Sequence, residues 1–394
     1  MGDPRLLVVA QRYGDVAGGA EAHARMVVAH LQPHLEIEVA TTTARDYRTW
    51  DNEFQAGETR VDGIPVRRFA VDRPRARDFR RRERAAFAPG RSLADERAFV
   101  DGQGPYAPQL LEFLFESGRA FDHVLFFTYL YYPTVRGLPI VPERAVLVPT
   151  AHDEPAIRRT TYRAVFHLPR AIAYNTEEER DLVQRRFWNA GIPSEVVGVG
   201  VDVAADASAS RFRERHGIDG PMLLYVGRLV ASKGVDELCE LFGRWRDADR
   251  SHRATLVVAG NAEMAIPQRD DIRHVGYLTE DEKFDAFAAC DVFALPSRYE
   301  SLSLVTLEAW ASGKPVLCHA DSPVLRGMAR RSGGGLCYRS YPEFAEIVDL
   351  LLADGALRAS LGAAGRAFVE RTYTWPRVVE AYLDLFAEVR ARNA

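Results

Sequence analysis

The sequence predicts an α/β protein built from two Rossmann-like, doubly wound domains, and three observations carry that reading. Short apolar runs of strand length alternate with helical patterns along the chain, the mark of parallel sheets. The same opening occurs twice: an apolar strand, a glycine-bearing loop, then a helix. The length of 394 residues accommodates two domains.

The first opening is a strand over 5–10, a loop from Gly14 to Gly19 and a helix over about 21–31. Further strands are predicted over 36–40, 123–127, 145–148 and 171–174. The second opening is a strand over 222–226, Gly227, a loop and a helix from about Val235. Strands over 254–259, 291–295 and 315–318 follow it. Thr176 with Glu179, and Thr279 with Glu282, fit capping boxes, so each pair predicts a helix start. The segment 201–210 lacks a clear period, which places a boundary between Gly198 and Asp219. The domains are accordingly 1–205 and 206–373. A last helix over about 375–392 carries Val378, Val379, Tyr382, Leu383, Leu385 and Phe386 at near-helical spacing. Ligands of such sheets bind beyond the carboxyl ends of the strands, so two facing sheets predict a ligand in a central cleft.

Composition narrows the function. The chain is 47% hydrophobic and 27% charged with a formal net charge of -4, which supports an ordinary core and gives no case for nucleic acid as a partner. Four cysteines, Cys239, Cys290, Cys318 and Cys337, are scattered without a Cys-x-x-Cys pair. That argues against a zinc site or a disulfide framework and fits a reducing compartment. No secretory signal is visible, and the longest apolar stretch, 124–141, is broken by Thr128, Pro133, Arg136 and Pro139. A cytoplasmic protein is expected, at most peripheral at the inner membrane face.

The most informative chemistry is a pair of glutamates eight positions apart, Glu300 and Glu308. A helix over about 303–311, ended by Gly313, leaves Glu300 in the preceding loop and puts Glu308 one or two turns inside. A wholly helical segment of that length rises about 12 Å, the reach of one long polar ligand. Solvated surface acids are the bland alternative. Against it, Glu308 is flanked by Leu304, Val305, Leu307, Ala309 and Trp310, and a buried carboxylate needs a partner.

Arg228 and Lys233 lie in the loop from Gly227 to Gly234, between strand and helix. The loop lacks the Walker pattern, yet a guanidinium fork and a compact ammonium suit a diphosphate. Two exposed cations on a turn are the alternative. Gly18 and Gly19 open a helix in Gly18-Gly-Ala-Glu21, where free amides favour an anion. A plain flexible turn would read the same. His152 follows the strand over 145–148; an imidazole there accepts a proton or bonds a sugar hydroxyl, or is simply packed in a loop. Gly260-Asn261 and Val275-Gly-Tyr277 would line a base pocket or form ordinary turns. Asp247-Ala-Asp249 sits between Arg246 and Arg250 and reads as a solvated helix end rather than a metal site. The arginine-rich stretch 67–97, interleaved with Phe69, Phe79 and Phe87, suggests an anionic membrane or lipid-diphosphate contact. Its acids dilute the charge and favour a solvated or mobile loop.

Together these residues resemble the retaining glycosyltransferases of the two-domain GT-B fold, family 4 in particular, over nearly the whole chain. The Gly227-Arg228 with Lys233-Gly234 segment and the Glu300/Glu308 pair are the specific part. The resemblance implies that Glu308 binds the ribose of a nucleotide sugar and Glu300 the donor sugar. It implies that Arg228 and Lys233 hold the diphosphate, and that Gly18, Gly19, Val275, Tyr277, Leu302, Ser303 and Leu304 add donor contacts. His152, Arg228, Lys233 and Glu300 would form the catalytic set. No metal or other cofactor is expected. The family commonly has a Gly-Phe-Gly-like run where this chain has Ser301-Leu302-Ser303. The implied partners are a nucleotide-sugar donor and a glycan, lipid-linked or small-molecule acceptor, as in polysaccharide biosynthesis. The last helix would return to the first domain. A nucleotide-sugar epimerase and a non-catalytic nucleotide-sugar-binding partner are the competing readings.

Overall fold

The structure is a computed structural model, and it describes residues 4–203, 206–249 and 251–393. The chain divides into two compact units, Met1–Val199 with Trp375–Ala394, and Gly200–Thr374. The division falls at Val199/Gly200 and not at 205/206, and Ala205 lies outside the described residues. Backbone bonding explains the position. Val197 and Gly198 both donate to Tyr174 O of the first sheet, whereas Val201 donates to Tyr373 O of the second unit.

The first unit contains β1 (Arg5–Val9), α1 (Gly19–Leu31), β2 (Glu36–Thr42), β3 (Gly57–Val61) and β4 (Ile64–Phe69). Then come α2 (Phe79–Phe87), α3 (Leu93–Gln103), α4 (Pro108–Ser117), β5 (His123–Phe127) and α5 (Tyr132–Gly137). β6 (Ala145–Val148), α6 (Arg163–His167), β7 (Ala171–Tyr174), α7 (Glu177–Phe187) and β8 (Ser194–Val196) complete this run. The strand order is β3-β4-β2-β1-β5-β6-β7-β8, and only the β3–β4 pair is antiparallel. β5, β6 and β7 are buried throughout, as strands covered by helices on both faces must be. β3 is instead an exposed, charged edge strand. It joins β4 through Asp62 and Gly63, both at positive φ, the backbone of a two-residue hairpin turn.

The second unit contains α8 (Ala209–His216), β9 (Met222–Val226), α9 (Val235–Ala248), β10 (Thr255–Ala259), β11 (Ile272–His274) and α10 (Glu280–Ala289). It continues with β12 (Val292–Leu295), α11 (Leu304–Ala311), β13 (Val316–His319), α12 (Pro323–Ser332), β14 (Gly335–Tyr338), α13 (Tyr341–Ala353) and α14 (Gly355–Thr372). Its wholly parallel sheet runs β11-β10-β9-β12-β13-β14. The last helix, α15 (Trp375–Asn393), belongs to the first unit. There Trp375 stacks on His30 at 3.6 Å, and Phe386 stacks on His123 at 4.7 Å.

Both units are therefore α/β with parallel sheets, as the alternation predicted. Two local expectations are corrected. Residues 67–97 are not one loop: β4, α2 and α3 take up 67–69, 79–87 and 93–97, and although Arg73, Arg77, Arg80, Arg81, Arg84 and Arg97 are solvent-exposed, others are held by partners. Arg67 bonds Glu38 and Glu58, Arg68 lies over Phe54, Arg82 bonds Asp78 and Arg91 bonds Glu96. Thr176 caps α7 through Glu179 N, but Glu179 does not return the bond. Its carboxylate turns into the core, where Ala151 N and Asn175 N donate to it. Thr279 and Glu282 do form the full box. Among the described residues no helix is long and apolar enough to cross a membrane.

Candidate active site

The sheet orders locate the sites. In the second unit the order reverses between β9 and β12, and in the first between β1 and β5. Open parallel sheets bind ligands at such reversals, beyond the carboxyl ends of the strands. In the second unit the two loops leaving these ends are 227–234, after β9, and 296–303, after β12.

Those loops bring Lys233 and Glu300 together. Lys233 Nζ donates to Glu300 Oε1 at 2.6 Å, and both side chains are largely covered. Gly234 forces this geometry. It caps α9 at φ 73°, and a Cβ there would lie 2.9 Å from Pro296 O, so only glycine lets the β9 loop pass against the end of β12. Arg228 is exposed, and its carbonyl accepts from Tyr225 Oη at 2.9 Å. Burial first, then the nearby charge of Glu300, raises the Tyr225 phenol, while Arg228 opposes them. Tyr225 therefore lies within electrostatic reach of both Arg228 and Glu300.

The glutamate pair is split between a loop and a helix. Glu300 lies before α11, whose N-cap is Ser303; the Ser303 hydroxyl accepts from Thr306 N. Only 304–311 is helical, so the separation of the two carboxylates is not a helical rise. The first amides of α11, beginning with Leu304, are left outside the helical ladder and face an anion favourably. Leu302 is half-buried in the loop before them. Glu308, inside the helix, is 8% exposed. Its Oε1 accepts from Lys283 Nζ at 2.8 Å, and its Oε2 is buried with no hydrogen-bond partner. Burial raises the Glu308 carboxyl, and the Lys283 ammonium pulls it down.

A second approach of backbones borders this region. At Gly260 a Cβ would fall 1.9 Å from Gly227 O, so the chain ends of β9 and β10 meet through glycine alone. Gly260 N donates to Gly276 O at 2.7 Å and Val275 N to Val258 O at 3.1 Å. Val275 is therefore held beside β10, while Tyr277 is 67% exposed. Asp247 and Asp249 end α9 and the turn after it: Arg269 bonds Asp247, and Ser251 N bonds Asp249. Arg250 lies outside the described residues.

In the first unit Gly18 is the N-cap of α1. The helix begins at Gly19, earlier than expected. A Cβ at Gly18 would collide with Glu21 Oε2 at 2.1 Å, whereas at Gly19 it would meet open space. Glu21 is buried, and its Oε1 accepts from Arg12 at 2.7 Å and Gln11 at 2.9 Å. His152 follows β6 beyond Thr150, a non-glycine residue at φ 49°. Its Nδ1 lies 3.7 Å from Glu154 Oε1, which also accepts from Tyr129 Oη at 2.6 Å.

Sequence reasoning missed Lys283, read Glu179 only as a capping partner and Glu21 only as part of a helix opening, and did not foresee that both acids are buried. It also missed a cluster at the carboxyl end of β13. There Arg298 donates to Glu237 Oε1 at 2.9 Å and lies 3.1 Å from Nε2 of the fully buried His319. The cysteines scattered along the chain include one close pair: the register of β13 and β14 sets Cys318 and Cys337 side by side, Sγ to Sγ 3.2 Å.

Comparison with known proteins bears on the fold that carries these residues. Residues 206–368 match the family described as glycosyl transferases group 1. A D-inositol 3-phosphate glycosyltransferase of Xylanimonas cellulosilytica is 32% identical over 277 residues, 64% of each chain. The chain thus spans less than two thirds of the length of that relative. Among solved structures, sucrose-phosphate synthase from Thermosynechococcus elongatus superposes with a TM-score of 0.73 at 16% identity, covering 99% of this chain and 100% of that one. Anabaena HepE, solved with UDP and glucose, superposes at 0.70 and 14% identity, covering 98% of this chain and 99% of that one. Two α/β domains with parallel sheets, as in GT-B glycosyltransferases, are the shared fold.

Proposed function

We propose that the protein is a glycosyltransferase that moves a sugar from a nucleotide-diphosphate donor to an acceptor, with retention of anomeric configuration as in family 4. The observation that carries this reading is the meeting of Lys233 and Glu300, with Arg228 nearby, at the sheet reversal of the unit that matches group 1 glycosyltransferases. The relative of Xylanimonas is a glycosyltransferase by name, and HepE binds UDP and glucose; both support a nucleotide-sugar donor.

In this reading Arg228 and Lys233 hold the diphosphate. As the glycosidic bond breaks, negative charge grows on the leaving nucleotide, and fixed cations stabilise it most at that moment. No metal is required by this scheme, since the two side chains supply the positive charge. Amides at the start of α11, with Leu302, Ser303 and Leu304, add contacts to phosphate and sugar. Glu308 takes the ribose hydroxyls through its unpartnered Oε2, and Glu300 aims Lys233 and contacts the donor sugar. Val275 and Tyr277 border the base. Retention proceeds by same-face attack, the departing phosphate taking the acceptor's proton.

The test is calorimetry against a panel of nucleotide sugars, followed by turnover with candidate acceptors. Free nucleotide and a glycosylated product must appear together, with the product anomer matching the donor. Tight binding with no turnover on any acceptor would favour a binding partner. Altered donor without transfer would favour an epimerase.

A further inference from the structure

The Lys283–Glu308 pair asks for a reason that the fold alone does not supply. Lys283 lies on α10 and Glu308 on α11. Both side chains are about nine-tenths covered, and their charged atoms meet at 2.8 Å. The same ammonium also reaches Glu280 Oε2 at 2.8 Å, and Glu280 is 77% exposed. The ammonium is therefore held from both sides, one carboxylate in solvent and one buried. A buried ion pair gains little stability over a well-packed apolar pair. Here the pair is also incomplete, because Glu308 Oε2 is buried and unsatisfied. An unmade bond at a buried carboxylate oxygen is costly and points to a ligand.

We propose that Lys283 is a positioning residue of the donor site: by engaging Glu308 Oε1 with its ammonium it fixes and charge-balances the carboxylate, and leaves Oε2 to accept the hydroxyls of a ribose. This rests on the donor-site reading of Glu308 given above. A neutral carboxylic acid at this position would offer one acceptor oxygen and one hydroxyl, a poorer match to two neighbouring hydroxyl donors.

The surroundings leave this task to Lys283. Burial drives the Glu308 carboxyl upward, Glu280 adds to that, and Lys283 is the counterweight. β12 presents only Val292, Phe293, Ala294 and Leu295. On β13 the titratable groups are His319, which faces Arg298 and Glu237, and Cys318, which faces Cys337. From α14, Arg366 donates to Ala311 O, at the far end of α11.

The experiment compares binding of UDP and GDP by the wild type and by Lys283→Met, Lys283→Gln and Lys283→Arg, between about pH 6 and 9. Taking each variant relative to wild type on the same nucleotide removes the titration of the phosphates. For Lys283→Met and Lys283→Gln the ratio of dissociation constants is expected to climb as pH falls, toward about tenfold per pH unit. Lys283→Arg is expected to restore most of the affinity. A ratio that stays constant across the range, or that Lys283→Arg does not improve, overturns the assignment. An infrared carboxylic-acid band at neutral pH, present in Lys283→Met and absent from Lys283→Met with Glu308→Gln, checks the charge without any ligand. If the wild type binds neither nucleotide, the ribose role is overturned and the band separates two failures: its presence leaves the charge pairing of Lys283 with Glu308 standing, and its absence overturns that pairing as well.

Discussion

Neutralising Glu179 by Glu179→Gln should remove a specific slope from the pH dependence of stability. Glu179 is fully buried, and burial pushes its carboxyl up to about 8 from an ordinary 4.5, against hydrogen bonds from Asn175 and Ala151 that favour the charged form. At 1.36 kcal/mol per pH unit that difference is about 5 kcal/mol. The sign follows from linkage. The folded state binds the proton more tightly, so the contribution is complete below pH 4.5 and is lost as pH rises through about 8. Two buried histidines of the same unit act oppositely. Burial lowers His23 and His123 to about 4 from an ordinary 6.5, so their contribution is complete above pH 6.5 and is lost as pH falls toward 4.

The first unit should therefore be most stable near pH 6.5. It should lose about 1 kcal/mol by pH 8, the Glu179 loss of about 1.6 kcal/mol being partly offset as the unfolded histidines finish deprotonating. In Glu179→Gln that loss should vanish. The variant should also carry a pH-independent cost of about 1–3 kcal/mol, because the new amide NH2 must face either Ala151 N–H or Asn175 N–H. Urea unfolding at several pH values, read by pulsed hydrogen exchange on peptides of β6 and β7, reports on this unit alone. Parallel curves for wild type and variant from pH 6.5 to 8 would refute the argument. The consequence reaches the candidate site, since the Ala151 amide held by Glu179 immediately precedes His152.

Three further predictions concern the ligand. Glu308→Ala should weaken nucleotide binding by about 1.5–3 kcal/mol, the worth of hydrogen bonds to a charged group, as calorimetry would show; unchanged affinity counts against a ribose contact. Lys233→Ala should suppress transfer more than binding, since its charge is needed most as the nucleotide leaves, and steady-state kinetics would separate the two. Gly18→Ala should lower the melting temperature through collision with Glu21, while Gly19→Ala should fold normally. A loss of donor affinity in Gly19→Ala alone would then mark a close ligand approach.

The central strands were legible because burial on both faces leaves them continuously apolar. β5, β6, β7 and β9 have the predicted bounds. The edges were not legible for the same reason inverted. β3 is exposed and charged, β8 and β11 have three residues each with solvent-facing positions, and β14 is only half covered. The loop cations and the glutamates could be named because they follow strands and flank glycines, signals that are local. Lys283 could not. Its near partner Glu280 is visible at helical spacing, but its meeting with Glu308 depends on how α10 and α11 pack. Likewise Glu179 looked like one half of a capping box, and only the tertiary position of Ala151 N decides that it faces inward.

The two glutamates of the proposed donor site then differ in kind. Each is matched by a lysine, but Glu308 keeps one oxygen buried and unmatched, whereas Glu300 spends one of its oxygens on the cation proposed to hold the diphosphate. An ammonium has three donors, so Lys233 can hold Glu300 and still present two protons to a diphosphate. Pairing it beforehand lowers its attraction for free anions, and in exchange fixes a flexible four-carbon stem whose ordering would otherwise be charged to binding. Glu300→Gln keeps the shape and removes the charge. If aiming is the chief role of Glu300, this change should tighten the free nucleotide while slowing transfer, because the ammonium loses its neutralising partner and its direction. If contact with the sugar is the chief role, nucleotide affinity should stay unchanged while affinity for the nucleotide sugar falls. Measuring the nucleotide and its sugar conjugate side by side on this one variant separates the two.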